Sequence, residues 1–184
     1  MTDIIIRACR ERQAWVDYLL DRLPGATVVY DTTRNAMNTF LEALRVAGDR
    51  PVIHMEDDVL LAKGFVCKAE SVIGERPETA IQFFSMRKRD IQVGSRWEPG
   101  GTFLAGLCFY LPAGMSERLL RFDWPRREEH PTGLDLLVAD FLRANKERYW
   151  LHVPNLAQHR FGKSLIDSRR SRYRQSLTFE DPDE

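Results

Sequence analysis

The chain has 184 residues, with 27 basic and 27 acidic side chains and no net charge. That length fits one domain, and 43% hydrophobic with 10% aromatic residues provides enough apolar material for a core. The balance excludes intrinsic disorder, collagen-like repeats and a uniformly basic nucleic-acid coat, but not a local basic patch.

Short β-rich runs alternate with helical patterns from the N-terminus onward. Ile4-Ile5-Ile6 reads as a buried strand. A helix follows from Glu11 to Leu23, with Trp15, Val16, Leu19, Leu20 and Leu23 on one stripe, closed by Pro24-Gly25. Ala26 to Tyr30 reads as a second strand. Thr32 or Thr33 is placed to cap a second helix carrying Met37, Phe40, Leu41, Leu44 and Ala47. Pro51 to Met55 reads as a third strand. Further on come a strand at Thr79 to Phe84, a polar loop from Ser85 to Gly101, and a long strand from Thr102 to Leu111. A short helix near Ser116 to Phe122, a helix opening at Thr132 and a last strand at Tyr149 to Val153 complete the pattern. Three βα units in a row predict a single α/β, Rossmann-like domain with a mostly parallel central sheet flanked by helices. The domain is expected over 1–165, with 166–184 a charged C-terminal segment.

Cys9, Cys67 and Cys108 are far apart and form no CxxC pair, so neither a disulfide framework nor a thiolate zinc site is expected. They read as reduced core thiols of an intracellular protein. The N-terminal apolar run is too short for a signal peptide, and Phe103 to Leu111 is half a membrane span. The expectation is a soluble cytoplasmic protein without a membrane span.

The most informative residues are Glu56-Asp57-Asp58, directly after the third strand. In an extended chain residues i and i+2 point the same way, so Glu56 and Asp58 would present two carboxylates together. Ligands of parallel α/β sheets sit beyond the carboxyl ends of the strands, where this motif lies. Paired carboxylates repel unless a cation intervenes, and oxygen ligands suit Mg2+ or Mn2+. The bland alternative is a solvated acidic turn.

The segment Val52 to Leu60 resembles the strand-plus-acidic-motif of GT-A-fold glycosyltransferases. It is most similar to family 25 and to short glycosyltransferase-like proteins of phages and actinobacteria. Leu104 to Pro112, Thr132-Gly133-Leu134-Asp135 and Val153 to His159 resemble three further segments of that family in the same order. The chain is shorter than typical members, which implies a reduced acceptor part. The resemblance implies transfer of a sugar from a nucleotide-diphosphate sugar, a UDP-sugar foremost, to an acceptor hydroxyl with Mn2+ or Mg2+ as cofactor. Asp58 would be the principal metal ligand, Glu56 a partner contacting the metal or the ribose, and His159 a third ligand, an imidazole favouring Mn2+. The nucleotide sugar would meet Ala8, Arg10, Arg12, Asp31 and Asp57, with Arg160 and Lys163 either clamping the diphosphate or standing as surface cations. Asp135 is either a general base or, with Thr132, a capping box. His54, His130 and His152 read as structural.

On the acceptor side, Arg89, Trp97 and Gly101 lie in a stretch that reads either as a mobile cover over the substrate or as an ordinary loop. Residues 160–174 hold Arg160, Lys163, Arg169, Arg170, Arg172 and Arg174 against Asp167, with Tyr173 among them, which suits a phosphate backbone. DNA bearing hydroxymethylated pyrimidines, as in phages, is the expected acceptor. The alternatives are a glycan, lipid-linked saccharide or small-molecule acceptor, or a module that binds nucleotide sugar or nucleic acid without turnover.

Overall fold

The computed structural model describes residues 2–126, 129–130, 133–162 and 174–183. The predicted opening is present: β1 (Asp3–Ala8), a 3-10 turn at Arg10–Arg12, α1 (Gln13–Arg22), β2 (Thr27–Tyr30), α2 (Ala36–Ala47) and β3 (Val52–Glu56). The chain continues through β4 (Val59–Leu61), α3 (Phe65–Glu75), β5 (Ile81–Gln82), α4 (Asp90–Val93), β6 (Arg96–Pro99) and β7 (Cys108–Leu111). It ends with α5 (Met115–Arg121), α6 (Leu134–Ala144), β8 (Arg148–Leu151) and β9 (Ala157–His159).

Seven strands form one sheet in the order β2-β1-β3-β7-β5-β8-β6, and β4 pairs with β9 in a separate ribbon. β1 runs parallel to β2 and β3, and β5 parallel to β8. β7 is antiparallel to both of its neighbours, and edge strand β6 is antiparallel to β8. Five of the seven strands therefore share one direction, so the sheet is mostly parallel. One face is covered by α2, α5 and α6 through Phe40, Leu44, Leu119, Val138 and Phe141. The other is covered by α1 and α3 through Val16, Leu19, Phe65 and Ile73. Among the described residues, no helix is long and apolar enough to cross a membrane.

Several expectations are corrected. The cap of α2 is Asn35, whose Oδ1 accepts from the backbone N–H of Met37 at 2.9 Å and Asn38 at 3.3 Å, rather than either threonine. The long strand predicted from Thr102 starts only at Cys108, because Ala105 adopts a positive φ of 65° and turns the chain. The stretch 85–101 is not a plain polar loop. It contains α4 and β6, pinned by Arg96 to Asp90 and Glu98 (2.6 Å each) and by Arg89 to Glu98 (2.5 Å), with both acids buried. Of the three free thiols only Cys108 is in the core; Cys67 is exposed on α3 and Cys9 is half-buried.

His54 lies in the core, its ring 5.5 Å from those of Phe40 and Phe109, with neither nitrogen hydrogen-bonded among the described residues. Burial, reinforced by the charge of Arg7, holds its pKa well below 6.5. The folded protein keeps this ring neutral while the unfolded chain gains a proton below about pH 6.5, so stability falls as pH drops through that value. Half-buried His152, also lowered by burial, acts in the same sense. The expected slope from His54 is about 1.4 kcal/mol per pH unit. His54→Phe should flatten it in urea unfolding at pH 7.0, 6.0 and 5.5, and an unchanged slope would refute this assignment.

Candidate functional site

The strands β1 and β2 lie side by side but send their chains to opposite faces, β1 into α1 and β2 into α2. A crevice opens where neighbouring connections diverge in this way, beyond the carboxyl ends of the strands. Here it is a cleft of about 410 Å³, bounded by Ala8 to Arg12 after β1, by Asp31, Thr32, Arg34, Ala36 and Thr39 around the β2–α2 connection, and by Glu56, Asp57 and Asp58 after β3. Arg7 and Arg174 complete its lining. Seven residues expected from the sequence to form a nucleotide and metal site thus meet here: Ala8, Arg10, Arg12, Asp31, Glu56, Asp57 and Asp58.

The acidic motif is divided in a way the alternation rule did not predict. β3 ends at Glu56, and Asp57 and Asp58 form the turn into β4, so Asp57 and Asp58 share a partner instead of Glu56 and Asp58. Arg12 Nη1 donates to Asp57 Oδ1 and to Asp58 Oδ2, both at 2.8 Å. The second oxygen of Asp57 accepts the backbone N–H of Cys9 at 2.8 Å. Both aspartates are buried, so each depends on these donors for compensation. Asp58 Oδ1 is also buried and has no hydrogen-bond partner among the described residues.

The ribbon β4–β9 brings His159 to the same point. Val59 pairs with His159, and the Arg160 N–H donates to the Asp58 carbonyl at 2.8 Å, so residues a hundred positions apart in sequence are locked in register. The His159 ring places Nδ1 2.5 Å from the Arg160 carbonyl, where it must donate. Nε2 then faces Asp58 Oδ2 at 3.2 Å and Arg174 Nη2 at 2.6 Å. Burial pushes the Asp58 carboxyl up, but His159 and the charges of Arg12 and Arg174 outweigh it and keep Asp58 below the usual carboxylate range.

Glu56 stands apart from this cluster. Register sets it beside Arg7 on the neighbouring strand, with Arg7 Nη2 4.0 Å from its Oε1. Although its side chain is 30% exposed, it sits low in the cleft, and burial together with the charge of Asp58 lifts its pKa to about 7. Arg7 is itself buried, donates to the Gly106 carbonyl at 2.5 Å and stacks near the Phe40 and Phe109 rings. The Cys9 thiol, near Asp57, is raised by burial and that charge to about 12, so it is not a thiolate nucleophile at neutral pH.

Two of the cleft residues have further partners of their own, and the rest of the expected set lies elsewhere. Asp31 lines the cleft and also organises its wall, accepting from the Thr33 N–H at 2.8 Å and the Asn35 N–H at 3.3 Å. Arg10 stacks over Tyr30 at 5.0 Å. Arg160 points away, over Tyr18 at 4.2 Å. Asp135 does not line the cleft: its Oδ2 accepts from the Ala105 N–H at 3.0 Å and its Oδ1 from the Leu136 N–H at 3.1 Å, which makes it an anchor for the 104–106 loop and the start of α6. Arg89, Trp97 and Gly101 are grouped around β6, at the opposite edge of the sheet from β2. Trp97 packs on Trp150 there. Lys163, Arg169, Arg170 and Thr132 lie outside the described residues.

Sequence reasoning missed Arg7 and did not single out Arg174 for the cleft. A signal existed for Arg7: it is a cation one step beyond a buried strand run, on the side of the strand shared with Ile5. Among the described residues, no group of three or more His, Cys, Asp or Glu side chains is arranged to hold a metal ion. The chain matches no protein-family model and no curated protein.

Proposed function

We propose that this protein is a GT-A-type, metal-dependent glycosyltransferase that binds a nucleotide-diphosphate sugar in the cleft beyond β1, β2 and β3. The observation that carries this reading is the meeting of Asp57, Asp58 and His159 with Arg10, Arg12 and Arg174 at one strand-end crevice. Carboxylates for a dication and guanidiniums for a diphosphate are both present there.

The donor set suits a dication at two positions. Asp58 Oδ1 is a buried carboxylate oxygen with no partner among the described residues, and His159 is oriented by its Nδ1 bond to a backbone carbonyl, as metal-bound imidazoles are. Asp58 and His159 would hold the ion, with diphosphate oxygens and water completing its shell. Bound there, the ion would act as a Lewis acid toward the departing nucleoside diphosphate. Glu56, turned toward Arg7, is assigned to the substrate side of the cleft rather than to the ion.

The chain's own residues supply the rest. Arg10 and Arg12 would meet phosphate oxygens, Asp31 and Thr32 would meet ribose hydroxyls, and the cleft walls would exclude water from one side of the diphosphate. Asp135, held by Ala105 and Leu136, positions the loop whose Gly106 carbonyl takes Arg7, and so supports the floor of the cleft. A polyanionic acceptor, DNA foremost, is proposed from the basic run 160–174, and a glycan or small molecule is the alternative.

A thermal-shift screen of UDP, GDP, CDP and ADP with and without Mn2+ tests the reading. One diphosphate is expected to raise the melting temperature in the presence of Mn2+, and more weakly with EDTA, as ligand linkage requires. No shift with any of the four would overturn it.

A further inference from the structure

Both side chains assigned to the dication are already in contact with a guanidinium. Arg12 Nη1 bridges Asp57 and Asp58 at 2.8 Å, and Arg174 Nη2 lies 2.6 Å from His159 Nε2. The arginines come from opposite ends of the chain, Arg12 before α1 and Arg174 from the C-terminal strap. That strap is fixed nearby: Ser176 donates its N–H to Gln158 Oε1 at 2.8 Å and its Oγ to Asn155 Oδ1 at 2.7 Å. Its end lies along β4, where the Lys63 N–H reaches the Asp181 carbonyl and the Asp183 N–H reaches the Leu61 carbonyl, each at 2.8 Å.

A dication held by Asp58 Oδ1 and His159 Nε2 would need the Nε2 lone pair that Arg174 now occupies, and it would share one carboxylate with the Arg12 guanidinium on Oδ2, where like charges repel. We propose that Arg12 and Arg174 are built-in counter-cations of the acidic site before metal binds, which the dication displaces and which then turn to the phosphate oxygens of the nucleotide. This inference rests on the proposed dication site and adds to it a coupling: metal entry costs the Arg12–Asp58 ion pair and the Arg174–His159 hydrogen bond, and the nucleotide offers the released arginines new anions. Metal alone should therefore bind weakly, and metal with nucleotide strongly. Each arginine would oppose the first event and favour the second, a pair of effects of opposite sign that a merely structural role does not produce.

The test uses the full-length protein and two variants, Arg12→Gln and Arg174→Gln, each checked for a cooperative thermal transition. Binding of Mn2+ alone is read from the loss of the free-ion electron paramagnetic resonance signal. Binding of UDP, or whichever diphosphate the screen selects, is read by calorimetry at saturating Mn2+. Either variant is expected to bind Mn2+ alone about tenfold more tightly and the nucleotide about tenfold more weakly, the scale of one charge-assisted hydrogen bond. Equal or weaker Mn2+ binding in both variants, with wild-type protein still taking Mn2+ in the presence of nucleotide, overturns the counter-cation assignment and leaves the proposed function standing. No Mn2+ bound by the wild type with nucleotide, or by either variant, overturns both.

Discussion

Asp58→Asn is expected to abolish Mn2+-dependent release of nucleoside diphosphate from a nucleotide sugar while leaving the protein folded. The substitution keeps the shape of the side chain and removes the charge that a dication needs. Loss of an outer-shell partner alone lowers metal affinity or activity by about 10–100-fold, and loss of a direct ligand should exceed about 100-fold. The asparagine still accepts from Arg12, so the turn between β3 and β4 has a reason to persist. Asp58→Ala removes that acceptor as well and leaves Arg12 with one fewer buried partner, so it should also lower stability by about 3 kcal/mol. Wild-type turnover in Asp58→Asn would exclude Asp58 from the chemistry, whatever the fate of Asp58→Ala.

The second large effect concerns the scaffold. Gly100→Ala is expected to destabilise the protein by about 3 kcal/mol, lowering the melting temperature by about 10 °C. A Cβ at this position would lie 2.5 Å from the Glu147 carbonyl oxygen and 2.8 Å from the Leu142 carbonyl carbon, and would also meet Leu142 Cβ. Two of these obstacles are backbone, so the 3-10 turn at Gly100–Thr102 would have to leave α6. By contrast, Gly74→Ala meets nothing within 4 Å and should change the melting temperature by no more than about 1 °C. A melting temperature for Gly100→Ala equal to wild type would show that the packing of this turn on α6 is looser than described.

The elements that were legible in the sequence are those whose partners are local or whose pattern is long. The units β1–α1–β2–α2–β3 declare themselves because each helix repeats an apolar stripe over three turns and each strand is built around a short apolar core, Ile4 to Ile6, Val28-Val29 and Val52-Ile53. The helix α3 carries the same signal, with Phe65, Ala69, Val72 and Ile73 on one face. The strands β4, β6 and β9 have no local signal of this kind, because each has four residues or fewer and takes its pairing from segments distant in sequence, whereas β5 lies inside the strand expected at Thr79 to Phe84. The charged run Arg87 to Glu98 reads as a solvated loop since nothing local says that Asp90 and Glu98 will be buried; only the folded arrangement of Arg87, Arg89 and Arg96 does.

The candidate site divides in the same way. The strand-end position of Glu56-Asp57-Asp58 is readable from a strand followed by acids, and so is the loop after β1. The partner choice within the motif was not readable, because it depends on where β3 stops and the turn begins. That one-residue detail gives Asp57 and Asp58 to Arg12 and gives Glu56 to Arg7. His159 reaches Asp58 only through the β4–β9 ribbon, which no local pattern encodes. Its place in the site came from resemblance, and the geometry supplies a physical route for it.

The central claim is that this cleft binds a nucleotide sugar and a dication together and cleaves the sugar–phosphate bond. The most direct measurement is the release of nucleoside diphosphate by the wild-type protein from a panel of UDP-, GDP-, CDP- and ADP-sugars, with Mn2+ and with EDTA. Steady release from one donor class in Mn2+, abolished by EDTA and by Asp58→Asn, is the predicted result; no release from any donor with Mn2+ present, with or without DNA and simple saccharides as acceptors, would contradict it.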